Sequence, residues 1–326
     1  MKTPNRSNWF LKFKDESSKL ILFFIILICI GLAWLTYYYG PVKLIPQRDK
    51  NFIIGLQDTQ EQIIDKLYND GFIKDKIIFK KVLDYKQRNI VNPGGFFISP
   101  SMWPYEIINV LSSQSNQVWF ILEQGKRREE VAFGLKKLLH WSKAETQKFI
   151  ENSKEGYLYP DTYLLNVDSL SQEIIDKFGN QLYKQIEPLK IPENKLHDIL
   201  TFASIIQRES VPTVDARLVA GILQNRLNRG MPLQVDATVQ YALGSEKAWW
   251  PRITSADYQI DFPYNTYKIK TLPPGPICAA GIDAIKAALN PQKTDYLYYL
   301  HDRNMVIHPS VTFSQHQSNM RTYLGN

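Results

Sequence analysis

The chain has 326 residues, room for two domains with extensions, and its 44% hydrophobic and 22% charged composition excludes a disordered protein. A net charge of +7, from 39 Lys and Arg against 32 Asp and Glu, is spread along the chain without the dense basic run that nucleic acid binding calls for. Cys29 and Cys278 exclude a disulfide framework, and no Cys or His spacing matches a metal site.

Residues 1–19 carry Lys2, Arg6, Lys12, Lys14 and Lys19 ahead of an uncharged apolar run, Leu20 to Tyr39, of the length a helix needs to cross a bilayer. Trp34 and Tyr37 to Tyr39 cluster at its end, as aromatic residues do at a membrane interface. Basic residues before the run outnumber Lys43, Arg48 and Lys50 after it, which predicts a cytoplasmic N-terminus and an exported body. A cleaved signal peptide is the alternative. The run is long for a signal core and Tyr37-Tyr-Tyr-Gly-Pro41 has no small-x-small cleavage site, so the expectation is a retained anchor.

After a linker over 40–50, residues 51–116 read as a small α+β module. Asn51 to Leu56 is a strand pattern, Thr59 with Gln62 a capping box, and a second helix is expected over about Asp75 to Gln87. Gly94 to Ser99 reads as a turn into a strand, and Trp103 to Leu111 as a helix. Residues 117–326 make a larger, mixed part. Its elements begin with a strand over Gln117 to Glu123, a helix bearing Val131, Leu135, Leu138 and Leu139, and a capping box of Ser142 with Glu145. The aromatic loop Glu155-Gly-Tyr-Leu-Tyr-Pro-Asp-Thr-Tyr163 and an amphipathic helix over Ser169 to Ile186 follow.

The stretch Leu196 to Ser210 has apolar residues on more than one stripe and predicts a helix buried on most sides. Glu209 shares a face with Phe202, Ile205 and Ile206, and partial desolvation there raises a carboxyl pKa towards the range of a general acid. Pro212 limits the helix, which places the acid beside a loop. An ordinary ion pair with Arg208 or Arg217 is the competing reading. Thr213 can cap the next helix. In Leu233 to Tyr241 the polar Gln234, Asp236 and Thr238 alternate with apolar residues and would share one face of an extended segment. Leu272-Pro-Pro-Gly-Pro276 suits a turn with Pro274 and Gly275 at its centre. A helix over Gly281 to Leu289, a strand over Tyr296 to His301 and a polar tail complete the chain. His301, His308 and His316 match no metal spacing and read as surface or local structural groups.

Taken together, Glu155 to Tyr163, Ala203-Ser-Ile-Ile-Gln-Arg-Glu-Ser210, Asn225-Arg-Leu with Gly230 to Tyr241, Tyr264-Asn-Thr-Tyr267, Leu272 to Ile277 and Lys286 to Pro291 resemble the MltG family (YceG-like) of membrane-anchored endolytic peptidoglycan transglycosylases. The resemblance implies an α+β chain: a transmembrane helix at 20–39, a LysM-like domain at 51–116 and a mixed α/β catalytic domain at 117–326. It puts the catalytic glutamate on Glu209. The acidic residue that the family often carries two positions earlier is Gln207 here, and Ala237 replaces a usual proline. Gly-x-His-x-Phe is only loosely echoed by His308 to Phe313.

The resemblance further implies cleavage of the bond after N-acetylmuramic acid by one acid/base, with the sugar's own C6 hydroxyl closing a 1,6-anhydro ring, so that no cofactor is needed. Gln234, Asp236, Thr238, Tyr241, Asn265 and Tyr267 are candidates for the sugar-binding wall, each equally able to serve as turn or core support. Partners implied are peptidoglycan glycan strands, the bilayer and a peptidoglycan synthase. A hydrolase using Glu209 with Asp236, and a wall-binding scaffold without catalysis, remain as alternatives.

Overall fold

The computed structural model describes residues 6–211 and 214–325. The expected helix limit at Pro212 and cap at Thr213 lie outside the described residues. The chain divides into two compact units, one ending at Trp119 and one beginning at Phe120. The architecture is mixed α+β.

In the first unit α1 (Arg6–Tyr39) contains one stretch, Ser18–Tyr39, long and apolar enough to cross a membrane, with its apolar side chains exposed. Its last carbonyls have no partners within the helix, and Lys74 Nζ donates to the oxygen of Thr36 (3.1 Å), a cation where the helix dipole is negative. The chain then stays fastened to the unit. Lys43 N–H donates to the Pro100 oxygen (3.0 Å), Gln47 N–H to Ser101 Oγ (3.1 Å), and Ser99 Oγ to the Gln47 oxygen (3.0 Å).

Strand β1 (Lys50–Ile54) pairs antiparallel with β2 (Gly94–Ile98) in the register Lys50 to Ile98 and Ile54 to Gly94. Between them lie α2 (Gln60–Asn69) and α3 (Lys76–Tyr85). Thr59 and Gln62 form the expected capping box, and Asp75 caps α3 by accepting from Ile77 and Ile78 N–H. Phe52, Ile54, Ile63, Leu67, Phe79, Leu83, Phe96 and Ile98 bury completely between sheet and helices, joined by Ile107, Ile108 and Leu111 of α4 (Pro104–Leu111). At the end of the unit, Gln117 of β3 (Gln117–Ile121) pairs with Gly95, and Trp119 Nε1 donates to the Ile54 oxygen (2.9 Å).

The second unit opens with α5 (Arg128–Leu139), α6 (Lys143–Asn152), β4 (Thr162–Asn166) and α7 (Ser171–Ile186). Ser142 caps α6 through Glu145 N–H, but the expected reciprocal bond is absent: the Glu145 carboxylate accepts from Ser171 N–H instead, joining α6 to α7. Helix α8 (Glu193–Glu209) is the unit's axis, with every residue from Leu200 to Ile206 buried. Around it pack α9 (Ala216–Asn228), α10 (Asp236–Leu243) and α11 (Ile282–Leu289). Ser204, fully buried, accepts from Ile277 N–H (3.0 Å), and Gln207 accepts from Gly281 N–H (2.9 Å). Position 207 therefore needs an acceptor, which an amide supplies as well as a carboxylate.

Two local readings are corrected. Leu233 to Tyr241 is not extended: Gln234 takes a left-handed φ of 57°, and α10 begins at Asp236. Ala237 is the second residue of that helix, where proline and alanine both fit because no intrahelical N–H bond is required. Nor is Gly275 in the left-handed conformation of the expected turn; a Cβ there would lie 3.2 Å from Tyr264 Oη. The expected polar tail is structured, as β5 (Tyr298–His301) pairing antiparallel with β6 (Ile307–Ser310), followed by α12 (Phe313–Leu324).

Candidate active site

Glu209 is the last residue of α8, where intrahelical bonding ends and the side chain leaves the packed axis. It is half-buried above Ile205 and Ile206, both fully buried. The ion-pair reading is overturned. Arg208 lies over the Trp250 ring, 3.9 Å from its centroid, and Arg217 Nε donates to the Asn290 oxygen (3.1 Å). Glu209 instead accepts a hydrogen bond from Tyr299 of β5, with Oη 2.7 Å from Oε2. Burial holds the Glu209 carboxyl above the ordinary range, and the charge of Asp236 adds to the rise; the Tyr299 bond and the charges of His301 and Arg208 oppose it. The net effect is a carboxyl raised above its ordinary pKa.

Strand β5 alternates its side chains, so Tyr299 and His301 emerge on the same side. His301 Nε2 lies 2.6 Å from Asp215 Oδ2, and the other oxygen of Asp215 accepts from Val211 N–H (2.8 Å). The hairpin thus holds both the acid and the segment that follows it. His301 reads as a local structural group, and His308 likewise pairs with Asp302 (3.0 Å), but His316 joins the cavity wall.

Glu209 lines a cavity of about 380 Å³ together with Arg226, Gln234, Asp236, Tyr267 and Tyr299. Tyr267 donates to Asp236 Oδ1 and stacks on Tyr258 with centroids 4.2 Å apart, so its ring and the carboxylate are fixed together. Arg226, 7% exposed, donates to Gln234 Oε1, which orients that amide at the wall.

Of the six expected wall residues, Gln234, Asp236 and Tyr267 meet Glu209 at this cavity, and three do not. Thr238 is fully buried; its hydroxyl donates to the Val235 oxygen (2.7 Å) and lies 2.9 Å from Thr266 Oγ1. Asn265 is also fully buried, its amide donating to the oxygens of Tyr258 (3.0 Å) and Ile260 (2.9 Å) while its oxygen accepts from Tyr267 N–H. These two correct the expectation of direct sugar contact: they hold the turns that present Asp236 and Tyr267. Tyr241 packs against Tyr264 and under Arg127, whose guanidinium is 4.2 Å from its ring centroid. Sequence reading missed Tyr299, Arg226 and His316. The pairing of Tyr298-Tyr299 with a late apolar strand was the available signal, but only the hairpin brings it to Glu209.

Among the described residues no group of three or more His, Cys, Asp or Glu is arranged to hold a metal ion. The cavity offers one acid, a second carboxyl, a guanidinium, an amide and aromatic faces, a set suited to proton transfer on a polyhydroxylated ligand.

The YceG-like family model matches residues 52–322. An endolytic murein transglycosylase of Bacillus subtilis (strain 168) is 29% identical, the match covering 89% of this chain and 90% of the relative. One from Streptococcus pneumoniae serotype 2 is 36% identical over 154 residues, 45% of this chain and 28% of that protein. The crystal structure of a yceG-like protein from Listeria monocytogenes is similar with a TM-score of 0.53 and 26% identity, over 84% of this chain and 99% of that one.

Proposed function

The chain belongs to the YceG-like family, and from that premise we propose that it is an endolytic peptidoglycan lytic transglycosylase with Glu209 as its single acid and base. The observation that carries the reading is a carboxyl whose pKa burial raises, held by Tyr299 in the wall of an open cavity that also contains Asp236, Gln234 and Tyr267. The names of the Bacillus and Streptococcus relatives support the substrate.

In this mechanism the Glu209 proton passes to the glycosidic oxygen between N-acetylmuramic acid and N-acetylglucosamine, and the bond from muramyl C1 to that oxygen breaks. The Glu209 carboxylate then takes the proton of the muramyl C6 hydroxyl as that oxygen bonds to C1. Acid is regenerated, the product carries a 1,6-anhydro end, and no water is consumed. An internal nucleophile has a high effective concentration, so one carboxyl suffices. Asp236 supports a second reading, hydrolysis with two carboxyls, because it shares the cavity.

Residues 20–39 act as a single-pass anchor in the cytoplasmic membrane with the N-terminus inside, and the domain at 117–326 works on the outer face. The module at 51–116, whose two strands enclose two helices, serves as a LysM-like glycan-holding domain. Work at that face places the enzyme beside the wall synthases that make its substrate.

Purified full-length protein is incubated with glycan strands and the products weighed by mass spectrometry. Ends one water lighter than reducing ends support the transglycosylase; reducing ends alone replace it with the hydrolase. Equal release by wild type and Glu209→Gln removes Glu209 from the mechanism.

A further inference from the structure

Among the described residues of the first unit outside α1, the aliphatic side chains most open to solvent are Leu44 (77% exposed), Ile45 (74%) and Ile77 (68%). All three belong to segments that start where the apolar helix ends. Its 22-residue apolar stretch, Ser18–Tyr39, is about 33 Å long against a hydrocarbon core of about 30 Å, so on the anchor reading its last turn lies at the headgroup border. Lys74 Nζ donates to the Thr36 oxygen (3.1 Å) and the Tyr37 oxygen (3.4 Å), which brings the folded part of the unit to that depth, and Ile77 follows three residues later. From Tyr39 to Leu44 the chain spans at most about 17 Å. Lys43 and Gln47 are fastened to residues 99–101, so Leu44 and Ile45 stand out from the loop between two pinned points. Residues 43–50 carry three basic side chains to one acidic, and residues 74–81 four to one, with Asp75 occupied in capping α3.

We propose that Leu44, Ile45 and Ile77 enter the bilayer interface beside the apolar helix, with the cations of the two segments on anionic phospholipid headgroups. The contact rests on the anchor reading proposed above. A single exposed aliphatic side chain is common on a water-facing surface, but three of them next to a membrane helix and ringed by cations have the composition of an interfacial contact. Lys76 and Lys80 also pair with Asp65 (2.7 Å) and Glu61 (4.0 Å), whereas Lys43, Arg48 and Lys81 have no carboxylate partner among the described residues. Those three are left to lipid phosphates, whose attraction for basic side chains is strongest within a Debye length of the surface. Continuity with the helix and the sign of the charge both select lipid as the occupant. The first unit is thereby seated on the bilayer by a second contact, and is not raised on a stalk.

The test uses full-length protein in nanodiscs of mixed phosphatidylglycerol and phosphatidylcholine. Cys29→Ser removes the exposed thiol, Cys278 is buried, and a nitroxide is attached through Ile45→Cys, Ile77→Cys or, within the helix, Leu35→Cys, one at a time. Collisions are measured with oxygen, which concentrates in lipid, and with a nickel chelate, which stays in water. Labels at 45 and 77 should lose nickel collisions and keep oxygen collisions, as the label at 35 does. Nickel collisions at 45 and 77 with the label at 35 protected overturn the contact while leaving the anchor standing. Protection from both collision partners means that protein covers the patch, and overturns it as well. Nickel collisions at 35 show that the anchor reading itself has failed, and the contact falls with it. In discs of phosphatidylcholine alone, nickel collisions at 45 should rise, because the headgroup attraction is gone; unchanged protection there overturns the part assigned to the cations.

Discussion

Glu209 and Glu155 lie in one folded unit, both half-buried, both held above the ordinary carboxyl range by burial and by another carboxylate, yet only one is placed to meet a substrate. Glu155 is closed in. Its two oxygens accept from Arg128 N–H at the start of α5 (3.2 Å each), and one also accepts from Gly156 N–H. Gly156 has a φ of 78° and lies so close to Pro276 that a Cβ there would come within 2.3 Å of it. Glu209 is bound to one phenol and otherwise faces a cavity. An elevated pKa thus marks burial in both, and access separates an acid that can act from one that ties a loop to a helix.

The sharpest way to break this contrast is Glu209→Gln. Strand cleavage should fall by about 10²–10⁴-fold, the range for removing a general acid, while thermal melting stays level or rises because a desolvated carboxyl is gone. Tyr299→Phe should have a smaller effect, about tenfold in kcat for one charge-assisted bond. The phenol bond lowers the Glu209 pKa, so its removal makes the proton harder to lose. In the proposed mechanism activity needs the protonated form and should fall at alkaline pH; in the variant that fall should move to higher pH, and a pH profile with an unmoved limb would remove Tyr299 from this role.

Thr238→Val tests the support beneath the cavity. It strips partners from Thr266 and the Val235 oxygen and should cost about 1–3 kcal/mol by chemical denaturation, with activity falling only as the folded fraction does. Glu155→Gln should leave cleavage unchanged. Burial and the nearby Glu129 charge push the Glu155 carboxyl from its ordinary 4.5 up to about 8, so the folded state binds a proton that the unfolded state loses first. Its contribution to stability is fully present below pH 4.5 and is lost as pH rises towards about 8. Melting temperatures of the variant should decline less across that window, and parallel curves would show that the carboxyl is not held this way.

Sequence pattern reveals most elements where local and tertiary demands agree. The apolar run of α8, the cap at Thr59 and the stripe of α7 are examples, each driven by burial at helical spacing. Leu233 to Tyr241 misleads because its alternation suits a strand, whereas packing on α8 and the bonds from the Thr266 turn make it a bend into a short helix. Glu209, Asp236, Gln234 and Tyr267 are legible as polar residues in motif stretches. Tyr299, Arg226 and His316 are not, since each reaches the cavity through a hairpin or a helix end whose placement depends on the whole unit. Thr238 and Asn265 show the reverse: polar residues in the right stretch that serve the backbone.

On the proposed reading of the apolar helix as a membrane anchor, the bonds that bind residues 43 and 47 to residues 99–101, with Lys74 on the end of that helix, determine how the first unit leaves the lipid. A free tether spanning residues 40–50 would let that unit wander over a root-mean-square distance of roughly 17 Å. Stitched down as it is, the exit is a bracket instead of a leash. With that helix as the proposed anchor, the unit's height above the bilayer becomes a fixed property of the polypeptide, and lengthening the span between Gly40 and Lys43 would act as a change of ruler and not as added slack.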